Sequence, residues 1–433
     1  MAFCAMTLSC KKENKGSGNG PGKEEKYVKV PLQKVAYWTI VKSEMLHSGL
    51  RLTEYSCDTT DQRIWLATVD LHEPTLEFTC GLSQDIIPNP GGSSSYHPSL
   101  RENLSDICKR RTEAGERILV GINADYFDTK NGIVWGPHVE KGELLFIGNP
   151  RAQTRDDVRR RGFTVYADRT VDCGSLRTFT GKLEVDGRQY SISSVNDTTL
   201  RHASWPINLY SSRYVRVPHP EADTLVNELY PWALYVRFRY TGDPMRVNAG
   251  WTDAVVTGIY DGREIDNPEP PYLTDAGEWA MQITGSTSTE LAGKLSVGSA
   301  MRLRADMMIE GRTPNRMETH VSGAVQYLRS GEINTTWEEL RNPMTWLACD
   351  QSRRKVYVFV ADGRKKGWSL GVNRWDLTRF AWQLGCWDLN ILDGGGSTAM
   401  WVSHDGEGAL VNRPCDYQGE RSDLNYLFVK LKD

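Results

Sequence analysis

The residues best suited to do chemistry lie towards the C-terminus. Trp387–Val402 reads WDLNILDGGGSTAMWV, a hydrophobic run that ends in Asp393 and continues as Gly394, Gly395, Gly396, Ser397 and Thr398. Three glycines remove side-chain bulk and permit positive φ, so a ligand can come close to backbone N–H groups. Such a concavity favours an anion, and phosphate is the natural candidate. Asp393 ends its strand, where side chains line a cleft rather than a core. A tight turn between two strands would need only the glycines; an acid, three glycines and two hydroxyls in succession point to a site. Upstream, VADGRKKGWSLG (Val360–Gly371) repeats the pattern of a hydrophobic strand ending in polar residues. There Arg364 offers a planar fork to a phosphate and Asp362 is positioned to orient it, although Asp-Gly alone is an ordinary turn. VNRPCDYQGERSDLNYLF (Val411–Phe428) supplies Asn412, Asp416, Arg421 and Asn425 ahead of a final strand. GINADYFD (Gly121–Asp128) closes another strand with Asn123, Asp125 and an aromatic pair. Polar groups at a buried strand end need partners, so this segment reads as a cleft wall. The strand ends at Asn123, Asp362 and Asp393 are therefore expected to meet in one cleft.

The elements that must carry these residues are mostly strands. Arg63–Leu71, Arg117–Ala124, Trp232–Tyr240, Lys355–Ala361 and Leu424–Lys432 are strand-like in β-branched content and turn boundaries. Leu100, Leu104, Ile107 and Cys108 recur at helical spacing, which predicts a helix over Pro98–Ala114 with a basic C-terminal end. A second helix fits Arg374–Leu384, with Leu377, Phe380, Ala381 and Leu384 on one face. Pro- and Gly-rich stretches at 88–98, 218–220 and 266–277 read as loops. No repeat, heptad or regular βαβ alternation appears. The expected class is α+β: β-rich, with mixed, largely antiparallel sheets and a few helices. No linker divides residues 27–433.

Composition excludes several functions. The 433 residues carry 52 Lys+Arg against 55 Asp+Glu, a formal charge of -3, so nothing advertises nucleic-acid binding. With 39% hydrophobic and 25% charged residues the chain has material for a core, and no run reaches the roughly 18 apolar residues of a membrane helix. Of the nine cysteines, seven lie beyond the first ten residues, an odd number with no Cys-x-x-Cys pair; most read as small buried residues. MAFCAMTLSC followed by KKENKGSGNGPGKEEK is a short apolar stretch and a charged, Gly-rich tether. That pair resembles a bacterial lipoprotein leader with Cys10 as the lipidated residue. It makes residues 1–26 a leader and linker, with a membrane anchor at Cys10. It also implies export, to the periplasm or to the outer membrane or cell surface.

Taken together, the Asn-Ala-x-Tyr-Phe strand end, Asp-Gly-Arg, Leu-Asp-Gly-Gly-Gly-Ser-Thr, Asn-Arg-Pro and a downstream Arg resemble the phosphodiester glycosidase domain family. His320–Ile333 and Asn342–Asp350 resemble further segments of it, and the resemblance runs over about residues 45–433. Met344 stands where members usually carry Arg, and Asp125 where many carry Gly. The resemblance implies hydrolysis of a sugar–phosphate diester at the anomeric carbon, with N-acetylglucosamine as the model sugar and a glycan or sugar phosphate as partner. Such a reaction needs cationic clamping of the phosphate and a carboxylate near an oxocarbenium-like carbon. Arg364 and Arg421 are the expected clamps, helped by backbone N–H groups of Gly394–Gly396. Asp393 is the first candidate for nucleophile or base, with Asp362 or Asp125 second. Asn123, Ser397, Thr398 and Asn412 are expected to bind substrate. No cofactor is required. Two other readings are a binder of sugar or phosphate without turnover, and a divalent cation held by carboxylates around Asp393. In a purely structural arrangement, Arg364 would pair with Asp362, and Arg421 with Glu420 or Asp423.

Overall fold

A computed structural model describes residues 26–29, 38–57, 60–89, 100–127, 134–148, 161–197, 206–216, 233–262, 275–323, 325–335, 340–404 and 406–432. The leader and linker, apart from Lys26, lie outside these residues. So do Cys10, the 218–220 loop and most of the 266–277 loop.

Two sheets carry the site. A nine-stranded antiparallel sheet has the order Tyr27–Lys29, Glu332–Asn334, Gln326–Arg329, Cys386–Ile391, Met344–Asp350, Lys355–Ala361, Gln62–Asp70, Leu50–Cys57, Thr39–His47. A five-stranded antiparallel sheet has the order Glu407–Leu410, Met400–His404, Arg117–Asn123, Asn425–Leu431, Leu76–Leu82. The run KVYVFVA is apolar at nearly every position because its alternate residues serve two cores. Val356, Val358 and Val360 face a core shared with Val120, Ile122, Met400 and Leu427 of the smaller sheet. Tyr357, Phe359 and Ala361 face the opposite way, against Leu377, Phe380 and Ala381 of the helix Arg374–Gln383. The smaller sheet is used on both faces too: Trp401, Tyr426 and Phe428 pack on Leu104, Ile107 and Cys108 of the helix Leu104–Glu113. The result is a helix–sheet–sheet–helix stack. A third, twelve-stranded sheet, drawn from strands between His138 and Ser322, builds its own core of Leu183, Val236, Phe238, Met281 and Leu303. Among the described residues there are three α-helices, and two strand pairs are parallel. The β-rich, mixed and largely antiparallel expectation describes this architecture. No described helix is long and apolar enough to cross a membrane.

The helix Arg374–Gln383 starts where expected because the Asn373 side chain accepts hydrogen bonds from the Trp375 and Asp376 amides. The other helix is shorter than Pro98–Ala114. Glu102 forms a β-bridge with Asp423, which holds the backbone extended up to the cap residue Asn103. A distant carboxylate then caps the helix, since the Ser105 amide donates to Glu420 Oε1 at 2.8 Å. Cys57, Cys80, Cys108, Cys173, Cys349 and Cys386 are buried, and Cys415 is half-buried.

Candidate active site

The antiparallel registers fix where the polar strand ends come together. Met400 pairs with Ile122 and Tyr426 with Asn123 in one sheet; Trp346 pairs with Ile391 and Met344 with Ala361 in the other. The ends of Arg117–Asn123, Lys355–Ala361 and Cys386–Ile391 thus lie beside the beginnings of the strands that start at Met344, Met400 and Asn425. Asn123 joins the two sheets at this edge. Its Nδ2 donates to the Asp393 carbonyl at 2.8 Å, while its Oδ1 accepts from Thr345 Oγ1 at 2.6 Å and the Ala399 amide at 3.2 Å. All of these bonds go into holding the glycine loop, so Asn123 positions Asp393.

Asp393 is half-exposed. Its Oδ1 accepts from the Gly394 amide and its Oδ2 from Ser397 Oγ, both at 2.8 Å. Two buried acids lie close to it. Asp125 follows the Arg117–Asn123 strand; its amide donates to Asn425 Oδ1 at 2.8 Å and its Oδ2 accepts from the Gly136 amide at 3.3 Å. Burial, with the Asp393 charge adding to it, pushes the Asp125 carboxyl up to about 7. Asp423 stands two residues before the last strand and is 3% exposed. Burial and then the Asp393 charge raise its pKa well above the usual carboxylate range, against the Ser397 hydroxyl and the Arg421 and Arg101 charges. Three buried polar atoms here have no partner among the described residues: Asp423 Oδ1, Thr398 Oγ1 and Asn425 Nδ2. All three lie at the strand-end edge, on the segments that carry Asp393 and Arg421.

Over the glycines lie two arginines. Gly395 takes φ +67° and faces the Arg364 guanidinium. Arg364 is exposed and donates to Asn342 Oδ1 at 3.2 Å, with no carboxylate partner among the described residues. Arg421 donates from Nε and Nη2 to Asp416 at 2.8 and 3.1 Å, leaving Nη1 without a partner among the described residues. Burial opposes its charge, but the Asp416 hydrogen bonds and the charges of Asp416, Asp423 and Asp393 hold its pKa above the ordinary value. The pair rests on Gly396, where a Cβ would fall 2.2 Å from Asp416 Oδ1 and 2.3 Å from Arg421 Nη2. These are the mobile ends of side chains. Gly396→Ala is therefore expected to lower the melting temperature little but to displace Arg421 and cut turnover by about tenfold or more. Melting and kinetics measured together check it.

Several expectations need correction. Asp362 does not orient Arg364. It is 1% exposed and accepts from Trp368 Nε1 (2.6 Å), Asn412 Nδ2 (2.9 Å) and the Arg413 amide (3.0 Å to each oxygen). Asn412 in turn donates to the Thr398 carbonyl and accepts from the Met400 amide. Asp362 and Asn412 thus form a buried tie behind the Ser397–Thr398 segment. The arginine partners expected for a purely structural role are not the ones found, since Arg421 pairs with Asp416. The amides of Gly394 and Gly395 are already used by Asp393 Oδ1 and the Pro343 carbonyl, so only part of the loop backbone is left for a ligand. Met344 is 2% exposed and buried among Trp346, Phe359 and Ala361, away from any anion role. Asp423 and Thr345 join the site without being marked by the sequence motifs. The only local signal for Asp423 is an acid just ahead of a hydrophobic strand.

Among the described residues no three His, Cys, Asp or Glu side chains group to hold a metal ion, and no ligand set is assigned. Comparison with known families gives one match, to part of the chain. Residues 251–430 match the phosphodiester glycosidase family model. The match takes in Asp362, Arg364, Asp393 to Thr398, Asn412, Arg421 and Asp423, and leaves Asn123 and Asp125 in the preceding part of the chain. The match is thus narrower than the span of about 45–433 expected from the resemblance. A crystal structure of a hypothetical protein from Synechocystis shares the fold at TM-score 0.53 and 14% identity, over 91% of this chain; this chain spans 64% of that one. A putative exported protein from Burkholderia pseudomallei does so at TM-score 0.52 and 16% identity, over 85% of this chain and 74% of its own. The zebrafish N-acetylglucosamine-1-phosphodiester alpha-N-acetylglucosaminidase catalytic domain, auto-inhibited by its pro-peptide, aligns at 13% identity over 94% and 87% of the two chains. Its TM-score of 0.37 is too low to establish a shared fold. No curated protein matches the chain.

Proposed function

We propose that this protein is a hydrolase that cleaves a sugar–phosphate diester at the anomeric carbon, releasing sugar and a phosphomonoester. The observation that carries this reading is the grouping of one half-exposed acid, Asp393, with two buried acids of raised pKa beneath two arginines. An anionic diester would be repelled by three ionised carboxylates. Burial keeps Asp125 and Asp423 towards their neutral forms, so Arg421 and Arg364 balance the charges of Asp393 and Asp416, and an anion meets Arg364 and the free edge of Arg421 rather than a surplus of carboxylates. Asp393 is the carboxylate that meets the developing positive charge at the anomeric carbon. Asp423, held towards its neutral form by burial beside Asp393, limits the negative charge that an anionic diester meets. Arg421 Nη1 and Arg364 hold the phosphate as its charge grows. Trp135, 40% exposed, stacks on Tyr126 with centroids 5.8 Å apart, next to the Gly136 amide that holds Asp125, and offers a flat apolar wall to a sugar ring. The family match to residues 251–430 supports the reaction class.

The substrate we propose resembles an N-acetylglucosamine phosphodiester, in cell-envelope or exopolysaccharide metabolism. The Cys10 leader pattern and the exported description of the Burkholderia structure support an exported, lipid-anchored location. Incubation with a panel of sugar 1-phosphate diesters tests the activity. Equal release of free sugar and phosphomonoester is expected; release of neither, or of sugar 1-phosphate and free alcohol, contradicts it.

The buried Asp125 gives a pH-dependent stability test. An acid whose folded pKa of about 7 lies above its ordinary 3.8 binds more protons when folded, between those two values. Its burial is therefore harmless below about pH 4, increasingly destabilising up to about pH 7 and constant beyond. Asp125→Asn should be about 2–4 kcal/mol more stable than the parent at pH 8, with the advantage vanishing at pH 4. Denaturant melts at the two pH values measure it.

A further inference from the structure

Beside the proposed diester site stands a second group of cations that the proposed reaction does not use. Trp368 is held by its indole Nε1–H on Asp362 Oδ2 at 2.6 Å, and an arginine lies on the ring from each of two segments. The Arg413 guanidinium carbon is 3.5 Å from the ring centroid and that of Arg63 is 4.2 Å away. Arg63 is neutralised by Glu54 at 3.0 Å. Arg413 is exposed, and its guanidinium has neither hydrogen bond nor ion pair among the described residues. Its backbone is pinned by the amide bonds to both Asp362 oxygens. Lys365 and Lys366 follow Arg364 in the same loop, also without an ion pair among the described residues. Asp362, an acid of the same loop, is buried and engaged by Trp368, Asn412 and the Arg413 amide, so it does not pair with them. A stacked guanidinium has already lost much of its rotamer freedom and keeps all its donors, which is how a preorganised oxyanion fork is built.

We infer that Arg413 on Trp368, with Lys365, forms a second anion subsite that takes a further phosphate or carboxylate of the same substrate, beyond the scissile diester. Arg413 adjoins Asn412, which is bonded to the Thr398 carbonyl, so this subsite is one loop away from the glycine cradle. The natural substrate would then be a multiply charged acidic glycan or phosphodiester chain rather than an isolated neutral glycoside. The placement of the subsite on the substrate rests on the proposed function; its anion chemistry does not.

The test uses N-acetylglucosamine 1-phosphate diesters whose alcohol carries no charge, a carboxylate or a second phosphate. The parent protein should show a KM about tenfold lower for a charged alcohol. Arg413→Ala should erase that advantage, leave kcat and the uncharged substrate unchanged, and melt normally. Arg413→Lys should recover only part, because the charge returns without the planar fork. Whichever charged alcohol gains more identifies the oxyanion preferred. Equal effects of Arg413→Ala on all three substrates, or none on any, overturn the subsite. Calorimetric titration with inorganic triphosphate separates the two claims. If no diester is hydrolysed, the activity proposal fails; weakened triphosphate binding by folded Arg413→Ala still supports the subsite, and undiminished binding overturns it.

Discussion

Asp393→Asn is expected to lower turnover of a sugar–phosphate diester by about 10³-fold or more, near 4 kcal/mol of transition-state stabilisation, with the fold intact. The fold should survive because an amide oxygen can still accept from the Gly394 amide, and the loop stays tied through the Asp393 carbonyl to Asn123. What is lost is the one half-exposed carboxylate of the group, the charge that stabilises an oxocarbenium-like carbon. A second consequence distinguishes this role from simple loop support. The Asp393 charge is part of what raises Asp125 and Asp423, so removing it should let both carboxyls ionise at lower pH. Kinetics beside an infrared or NMR titration of the carboxyls checks both effects. A sugar-phosphate binder without turnover would keep its affinity and have no rate to lose.

Arg421→Ala should reduce kcat/KM by about 2–4 kcal/mol, the range for a lost electrostatic donor to developing charge. Its bidentate bond to Asp416 is half-exposed, so the pair itself contributes little stability, about 1 kcal/mol or less. Asp416 instead fixes the plane of the guanidinium over Gly396 and leaves Nη1 to meet a phosphate oxygen. Asp416→Asn, which keeps a hydrogen-bond acceptor, should fall between the parent and Arg421→Ala. A folded Arg421→Ala protein that melts earlier yet turns over normally would make the arginine structural.

Elements with strong local patterns are legible in the sequence, because burial on a sheet or helix face repeats with a short period. Lys355–Ala361 is found to the residue, and the helix from Arg374 is marked by its apolar face. The glycine loop is legible for a similar reason: acid, glycines and hydroxyls are contiguous, and the strand leading to them is plainly hydrophobic. Long-range pairings leave no such trace. Asp416 reaches Arg421 because the turn bridging Asp416 and Gly419, with φ +90° at Gly419, folds the loop back on itself. Asp362 is absorbed by Trp368 and Asn412, one of which is 50 residues away. The start of the first helix is set by the bridge from Glu102 to Asp423, and its cap by Glu420, neither of which its own residues announce. Asp423 lies between Arg421 and Asn425 in the sequence, but only the folded chain brings it beside Asp393.

In the proposed reaction, water ends on the sugar and not on the phosphorus. Hydrolysis of an N-acetylglucosamine 1-phosphate diester in ¹⁸O-labelled water, with mass analysis of both products, tests this most directly. Attack at the anomeric carbon, with Asp393 beside that carbon and the arginines on the leaving phosphate, predicts the label in the sugar and an unlabelled phosphomonoester. Label in the phosphomonoester would mean P–O cleavage, and would contradict the proposed roles of Asp393, Arg364 and Arg421.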